Sequence, residues 1–195
     1  MNSSKTIKYY DNNAQDFFDS VKDYDIQFLY DLFLKDIPKA GKILDAGCGG
    51  GRDSKYFKNN GLEVTAFDAS AELVEIAQDY SGLPVKHMRF QDMGFEKEFD
   101  GIWASASLLH VDKSELDNVM NKIYKALKPG GVLFCSFRFG QGESYEKERY
   151  FNDQTEESLK RLLTQHKLEI SHLSIPENLK SRRGFNFVIS FSKKI

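Results

Sequence analysis

The stretch ILDAGCGGGRDSKYF, residues 43–57, runs from an apolar segment through glycines at 47, 49, 50 and 51 into a helix-forming segment. Glycines there let the backbone turn sharply and let a ligand approach the main chain without meeting a Cβ atom. A Gly-x-Gly pattern alone says little. Its place between a predicted strand and a predicted helix adds weight, as does Asp68 at the end of the next predicted strand, 21 residues after Gly47. A carboxylate at that point can accept both hydroxyls of a ribose. Two residues narrow the ligand further. A nicotinamide fingerprint needs a third glycine where Arg52 stands, and the loop opens with Asp45, which repels a pyrophosphate and suits a cation.

Outward from this loop, short apolar runs alternate with amphipathic stretches, the pattern of β-α-β units and a parallel sheet. Strands are predicted at about 42–47, 63–68, 85–90, 99–105 and 131–139. Gly61 ends the first helix between them and Ser70 begins the second. Asp112 with Glu115 forms a predicted capping box for a helix reaching Leu127, and Pro129, Gly130 and Gly131 turn the chain into the fifth strand. A polar stretch, GQGESYEKERYFNDQ, precedes a helix capped by Thr155. Two further strands are predicted at roughly 168–175 and 185–193. Together these give an α/β fold with a Rossmann-like, doubly wound, seven-stranded sheet, mostly parallel with an antiparallel last strand. Before Lys42, the spacing of Phe17, Val21, Tyr24, Phe28 and Leu32 predicts one apolar helical stripe that Pro38 stops.

Composition excludes several function classes. The 195 residues include 41% hydrophobic positions, with 16 Phe and 9 Tyr, which is enough apolar area for a buried core and too much for disorder. With 27 Lys+Arg against 29 Asp+Glu, the net charge of −2 argues against bulk nucleic-acid binding, which needs a basic surface. No apolar run approaches the roughly 18 residues needed to span a bilayer, and the start MNSSKTIKYYDNN lacks the apolar stretch of a secretory signal. A cytoplasmic protein without a membrane partner is expected. Cys48 and Cys135 have no Cys-x-x-Cys or His-rich neighbours, so neither a disulfide nor a metal site is predicted. The charge is unevenly spread: seven aspartates and two lysines lie between Asp11 and Asp36, while residues 178–195 hold five basic residues and no acid.

The run Asp45-Ala46-Gly47-Cys48-Gly49-Gly50-Gly51 resembles the first motif of the class I S-adenosylmethionine-dependent methyltransferases, Asp/Glu-x-Gly-x-Gly-x-Gly. Further motifs follow in that family's order: VTAFDAS ending the second strand, FQDMGF at the third, FDGIWASASLLHV at the fourth and LKPGGVLFCSF at the fifth. The segment containing Tyr10, Asp11, Ala14 and Phe17 is similar to the lid of small tellurite-resistance-like members. The resemblance implies S-adenosyl-L-methionine as cofactor. It implies Asp45, Gly47 and Gly49 around the methionine end, Asp68 at the ribose and Asp92 with the Met93 backbone at the adenine, with Cys48, Arg52 and Ala69 also among the cofactor-binding residues. Ser105 would line the space between cofactor and acceptor, with Tyr10 folding over the cofactor or serving plain helix packing. It also implies one methyltransferase domain over 1–195, with a helical lid at 1–40, a cofactor-binding core at 41–139 and an acceptor-side segment at 140–195.

Methyl transfer from a sulfonium is an in-line displacement and leaves no obligatory residue behind, so the acceptor side is less determined. His110, after the fourth strand, stands where a base could act, or where a structural hydrogen bond could hold the region. Arg138, Arg149, Arg182 and Arg183, with Glu143 nearby, could project from the carboxyl edge of the sheet, and guanidinium groups favour planar anions. The expected partner is a small-molecule acceptor, anionic on this reasoning. An RNA or tRNA acceptor, a non-catalytic adenosylmethionine-binding module and an NAD(P)-dependent oxidoreductase stand as alternatives.

Overall fold

The computed structural model describes residues 2–177, 179 and 184–195. In chain order its strands are β1 (Lys42–Ala46), β2 (Glu63–Asp68), β3 (Val85–His87), β4 (Phe99–Ala104), β5 (Leu127–Arg138), β6 (Gly142–Glu146), β7 (Arg149–Asp153), β8 (Leu168–Ser174) and β9 (Phe187–Lys194). The helices are α1 (Asn2–Asn12), α2 (Ala14–Val21), α3 (Gln27–Leu34), α4 (Arg52–Asn59), α5 (Ala71–Ser81), α6 (Lys113–Ala126) and α7 (Glu156–Gln165). Seven strands form one sheet in the order β3-β2-β1-β4-β5-β9-β8, while β6 and β7 pair separately as a hairpin. All neighbours from β3 to β5 pair parallel, and β9 runs antiparallel to both β5 and β8. The strand order reverses between β1 and β4, and ligands of open α/β sheets bind at the carboxyl ends of the strands beside such a switch.

Burial on both faces explains why the central strands are apolar without alternation. Ile43 and Trp103 face a layer holding Leu29, Tyr30 and Phe33 of α3 and Phe57 of α4. Leu44 and Ile102 face the other way, toward Leu116, Val119, Met120 and Ile123 of α6 and toward Leu159 and Leu163 of α7. Trp103 is fully buried, stacked on Phe134 with ring centroids 3.9 Å apart.

The seven-stranded architecture agrees with the sequence pattern, and the local departures have identifiable causes. The predicted single stripe before Pro38 is broken into α2 and α3, and Phe18, Leu29, Tyr30 and Phe33 point inward in place of Phe28 and Leu32. The polar residues 2–12 form a further helix, α1, whose polar composition hid it. The Asp112 side chain makes no capping bond: Glu115 instead accepts from Gln91 Nε2 at 2.9 Å, so the predicted capping box is absent. Thr155 does cap α7, reciprocally with Ser158, and Ser70 caps α5. The stretch 140–154 contains the β6–β7 hairpin, closed by the two residues Lys147 and Glu148. Such tight hairpins usually announce themselves with Asn-Gly or Asp-Gly. Here Lys147 takes the left-handed conformation instead, at φ 56°, and the turn carries no sequence signal.

Candidate active site

A cavity of about 610 Å³ opens at the carboxyl ends of β1, β2 and β4, the volume range of small-molecule sites. Its floor is the β1–α4 loop. Gly47 adopts φ 73°, and a Cβ there would stand 2.5 Å from the Ser107 Cβ, so only glycine fits between loop and neighbour. Gly49, at φ 55°, faces Phe17 of α2 across the cavity.

The amide protons of this loop are almost all spent internally. Gly47 N and Cys48 N donate to the Phe67 carbonyl at 3.0 and 2.9 Å, and Gly51 N donates to the Cys48 carbonyl at 3.0 Å. Gly49 N donates to Asp68 Oδ2 at 2.8 Å, and Ser70 N donates to Asp68 Oδ1 at 2.9 Å. A phosphate-binding loop offers its free N–H groups to the anion, and this one presents the Asp68 carboxylate instead. Burial raises the Asp68 pKa from the usual carboxylate value, an effect countered by the Ser70 and Gly49 amides.

Gly47, Cys48, Gly49, Arg52, Asp68, Ala69, Ser105 and Tyr10 all line the cavity. Asp45, Asp92 and Met93 do not. Asp45 is buried beneath the loop, where it accepts from Ser54 Oγ at 2.5 Å, and burial pushes its pKa well above normal. It lies outside the cavity lining and ties β1 to α4. Asp92 is exposed and closes on Arg89, whose Nε lies 3.2 Å from Oδ2. Met93 N donates to the Phe90 carbonyl at 3.2 Å, and its own carbonyl accepts from Lys122 Nζ at 2.7 Å. In their place Met88, Arg89, Phe90 and Gln91 face the cavity, because the 3₁₀ turn Phe90–Asp92 rotates the chain after Phe90 away from it.

Behind the loop lies a network that motif reading missed. Asp53 accepts from Arg52 Nε at 2.6 Å, from the Tyr30 hydroxyl at 2.5 Å and from Trp103 Nε1 at 2.7 Å. Arg52 Nη1 also donates to the Val21 carbonyl at the end of α2. A lone Trp on a central strand needs a partner for its N–H, which was the one available signal.

The opposite wall comes from α1, the turn after β4, the end of β5 and the hairpin. His110 Nδ1 meets the Tyr150 carbonyl at 2.7 Å, and Nε2 meets the Tyr10 hydroxyl at 2.8 Å. A carbonyl only accepts, so Nδ1 carries the proton and Nε2 accepts from Tyr10. Burial lowers the His110 pKa to about 4, with Arg149 and Arg138 adding to the effect. Arg138 lines the cavity but is bound to Asp153 through Nε at 2.7 Å and Nη2 at 2.6 Å, and Nη2 also donates to Ser144. Arg149 lines it too, with Glu146 Oε2 3.5 Å from Nη2. Glu143 accepts from the Tyr150 hydroxyl and stands outside the cavity lining. Arg182 and Arg183 lie outside the described residues.

Helix α1 bridges the two walls. Asp11 accepts from Ser70 Oγ at 2.6 Å on the loop side, while Thr6 Oγ1 accepts from Tyr150 N at 2.9 Å on the hairpin side. Cys48 and Cys135 are free thiols. Burial raises both, Cys135 to about 12, so neither is a ready nucleophile. No helix among the described residues is long and apolar enough to cross a membrane.

Residues 43–131 match the family described as methyltransferase domain. The chain is similar to an uncharacterised methyltransferase of Staphylococcus carnosus, 29% identical over 58% of this chain and 56% of the relative. It is also similar to a malonyl-[acyl-carrier protein] O-methyltransferase of Enterobacter lignolyticus, 33% identical over 47% of this chain and 37% of the relative. It thus spans about half or less of the length of these relatives. Among solved structures, the Burkholderia thailandensis 1,6-didemethyltoxoflavin-N1-methyltransferase, with bound 1,6-didemethyltoxoflavin and S-adenosylhomocysteine, superposes with a TM-score of 0.81. That likeness covers 98% of this chain and 88% of the other at 19% identity, and it shows the fold. With the glycine loop at the sheet's switch point, residues 43–131, a little under half of the chain and spanning β1 to the start of β5, are thus similar to methyltransferase domains.

Proposed function

We propose that this chain transfers the methyl group of S-adenosylmethionine to a small acceptor by in-line displacement. The observation that carries the proposal is the bonding of the β1–α4 loop. Its amides at 47, 48, 49 and 51 are spent within the protein, and a carboxylate, Asp68, faces the cavity. A dinucleotide's pyrophosphate would find repulsion in place of donors, whereas a nucleoside joined to a sulfonium amino acid has no phosphate to place. The cofactor supplies a methyl group already activated by the positive sulfur.

The protein's part is to bind, align and exclude water. Asp68 takes the ribose hydroxyls, and the glycine backbone lies against the cofactor without side chains. Arg52, held by Asp53, offers its remaining N–H groups to the methionine carboxylate. Residues 1–40 serve as the cover, with Tyr10 and Phe17 closing the space above the loop. Ser105 and His110 border the acceptor end. His110, neutral with Nε2 taken by Tyr10, is a hydrogen-bond acceptor and a poor base. We read the acceptor as an anionic small molecule, since Arg138, Lys147 and Arg149 all line that end. The 1,6-didemethyltoxoflavin held by the structural neighbour supports a small acceptor over a macromolecular one.

The test is incubation of the protein with methyl-labelled S-adenosylmethionine and a cell metabolite extract. Label in a small product that requires the protein is the expected result. Cofactor binding without any labelled product would favour a non-catalytic binding module instead.

A further inference from the structure

Two arginines face the acceptor end of the cavity, and their surroundings differ. Arg138 is saturated: Asp153 takes its Nε and Nη2, Ser144 takes Nη2 again, and its guanidinium lies between the Phe151 and Phe185 rings at 4.4 and 4.7 Å. Arg149 is not. Its side chain is 14% exposed, and its ion partner is Glu146 at 3.5 Å, a carboxylate that also lies 3.8 Å from Arg138. Both distances exceed those of charge-assisted hydrogen bonds. The Arg149 Nε–H is buried with no hydrogen-bond partner among the described residues. The ring of Tyr9, on α1, covers the guanidinium at 4.9 Å, and Phe151 flanks it at 5.1 Å. Among the described residues, Arg138, Arg149 and Lys147 face Asp153 and Glu146, which leaves an excess of one positive charge in that set.

We propose that Arg149 is the receptor for a carboxylate on the acceptor, and that an oxygen of this carboxylate is the nucleophile, so that the product is a methyl ester. The inference rests on the methyl-transfer reading above and names its substrate class. A planar carboxylate matches the guanidinium fork and satisfies the orphaned Nε–H once Tyr9 moves aside with the acceptor's entry. The step balances without a base: an oxygen lone pair forms the O–CH3 bond, the C–S bond breaks, and its electron pair stays on sulfur, which becomes a neutral thioether. No proton moves. This suits the wall it occurs against, because His110 has its lone pair engaged by Tyr10, Asp153 is tied to Arg138, Glu146 faces both arginines as a looser ion partner, and Asp68 is tied to the loop amides. Among the described residues, a neutral alcohol would find no strong base with a free lone pair on this wall.

Ligand-observed NMR, run on the protein saturated with S-adenosylhomocysteine, tests the receptor with benzoate and its neutral isostere benzamide as probes. Benzoate should bind and benzamide should not. Arg149→Gln should weaken benzoate by roughly tenfold or more, the loss of a charged hydrogen-bonded pair, with Arg149→Lys falling between. Affinity for S-adenosylhomocysteine should stay within about twofold in both variants, because Arg149 belongs to the opposite wall. Equal binding of the two probes, or benzoate binding untouched by Arg149→Gln, overturns the proposal. Failure to bind S-adenosylhomocysteine at all overturns the underlying reading instead. The labelled product supplies the second arm: a methyl ester releases its label as methanol in mild alkali, and an alkali-stable product contradicts the ester.

Discussion

The two walls of the cavity are built on different principles. On the loop side the carboxylates are bonded within the protein: Asp53 accepts three hydrogen bonds, Asp68 accepts from two backbone amides, and Asp45 accepts from Ser54. This wall grows from the ends of β1, β2 and β4, strands buried on both faces. On the hairpin side, an arginine has an N–H with no partner among the described residues, two arginines share one carboxylate at long range, and the support is a two-stranded ribbon. The carboxylates of one wall are fixed by internal hydrogen bonds before any ligand arrives, and the other wall keeps a buried arginine N–H for one. That division fits the methyltransferases this chain is similar to, which are named for different acceptors.

The comparison breaks most visibly at Asp53. Asp53→Ala should leave Arg52, Tyr30 and Trp103 with buried, unpaired donors and cost about 3 kcal/mol, the scale for breaking a buried ion pair. For a domain of this size that lowers the melting temperature by roughly 6–12 °C, measurable by calorimetry. An unchanged melting temperature would mean that the loop wall does not depend on this network.

Hydrogen exchange compares the walls directly. Amides of β1, β4 and β5 should exchange only on global unfolding, while those of β6 and β7 should exchange through local opening, because an isolated two-stranded ribbon is marginal. Equal protection would erase the distinction drawn here. Addition of S-adenosylhomocysteine should slow exchange around Gly49 and Asp68 more than in the hairpin.

A smaller effect concerns His110. Its pKa in the folded chain, about 4, lies below the ordinary value of 6.5. The unfolded chain therefore takes up a proton first as pH falls, and the stability held by neutral His110 is complete above pH 6.5 and declines toward pH 4. Denaturant titrations of wild type and His110→Gln should show a steeper loss across that window in wild type. Parallel curves would show that the imidazole is not held neutral.

The loop wall was the legible one. Glycines whose conformations have a steric reason, such as Gly47 against Ser107, leave a pattern in the sequence, and so does an acid at the end of β2. Central strands buried on both faces read as apolar runs, which is why a seven-stranded, doubly wound sheet could be anticipated from the alternation of strands and helices. The expected residues that lie outside the cavity lining are placed there by local structure. Asp92 and Met93 sit in the expected motif, but the 3₁₀ turn and the Arg89 pair carry them out of the cavity and leave Gln91 facing it. Asp45 was judged by its charge, and only its burial shows that it serves Ser54. The hairpin wall was illegible because its turn uses Lys147-Glu148, residues without turn preference, and because saturated Arg138 and unsatisfied Arg149 look alike in one dimension.

The claim on which the rest depends is that the loop wall is the seat of S-adenosylmethionine. Isothermal titration of S-adenosylhomocysteine into the wild-type chain and into Asp68→Ala tests it most directly, with NAD as the competing ligand. The expected result is saturable binding of S-adenosylhomocysteine to wild type, weakened by roughly tenfold to a hundredfold in Asp68→Ala through loss of charged hydrogen bonds, and no heat from NAD. Binding of NAD in preference to S-adenosylhomocysteine, or equal affinity of the two proteins for S-adenosylhomocysteine, would contradict it.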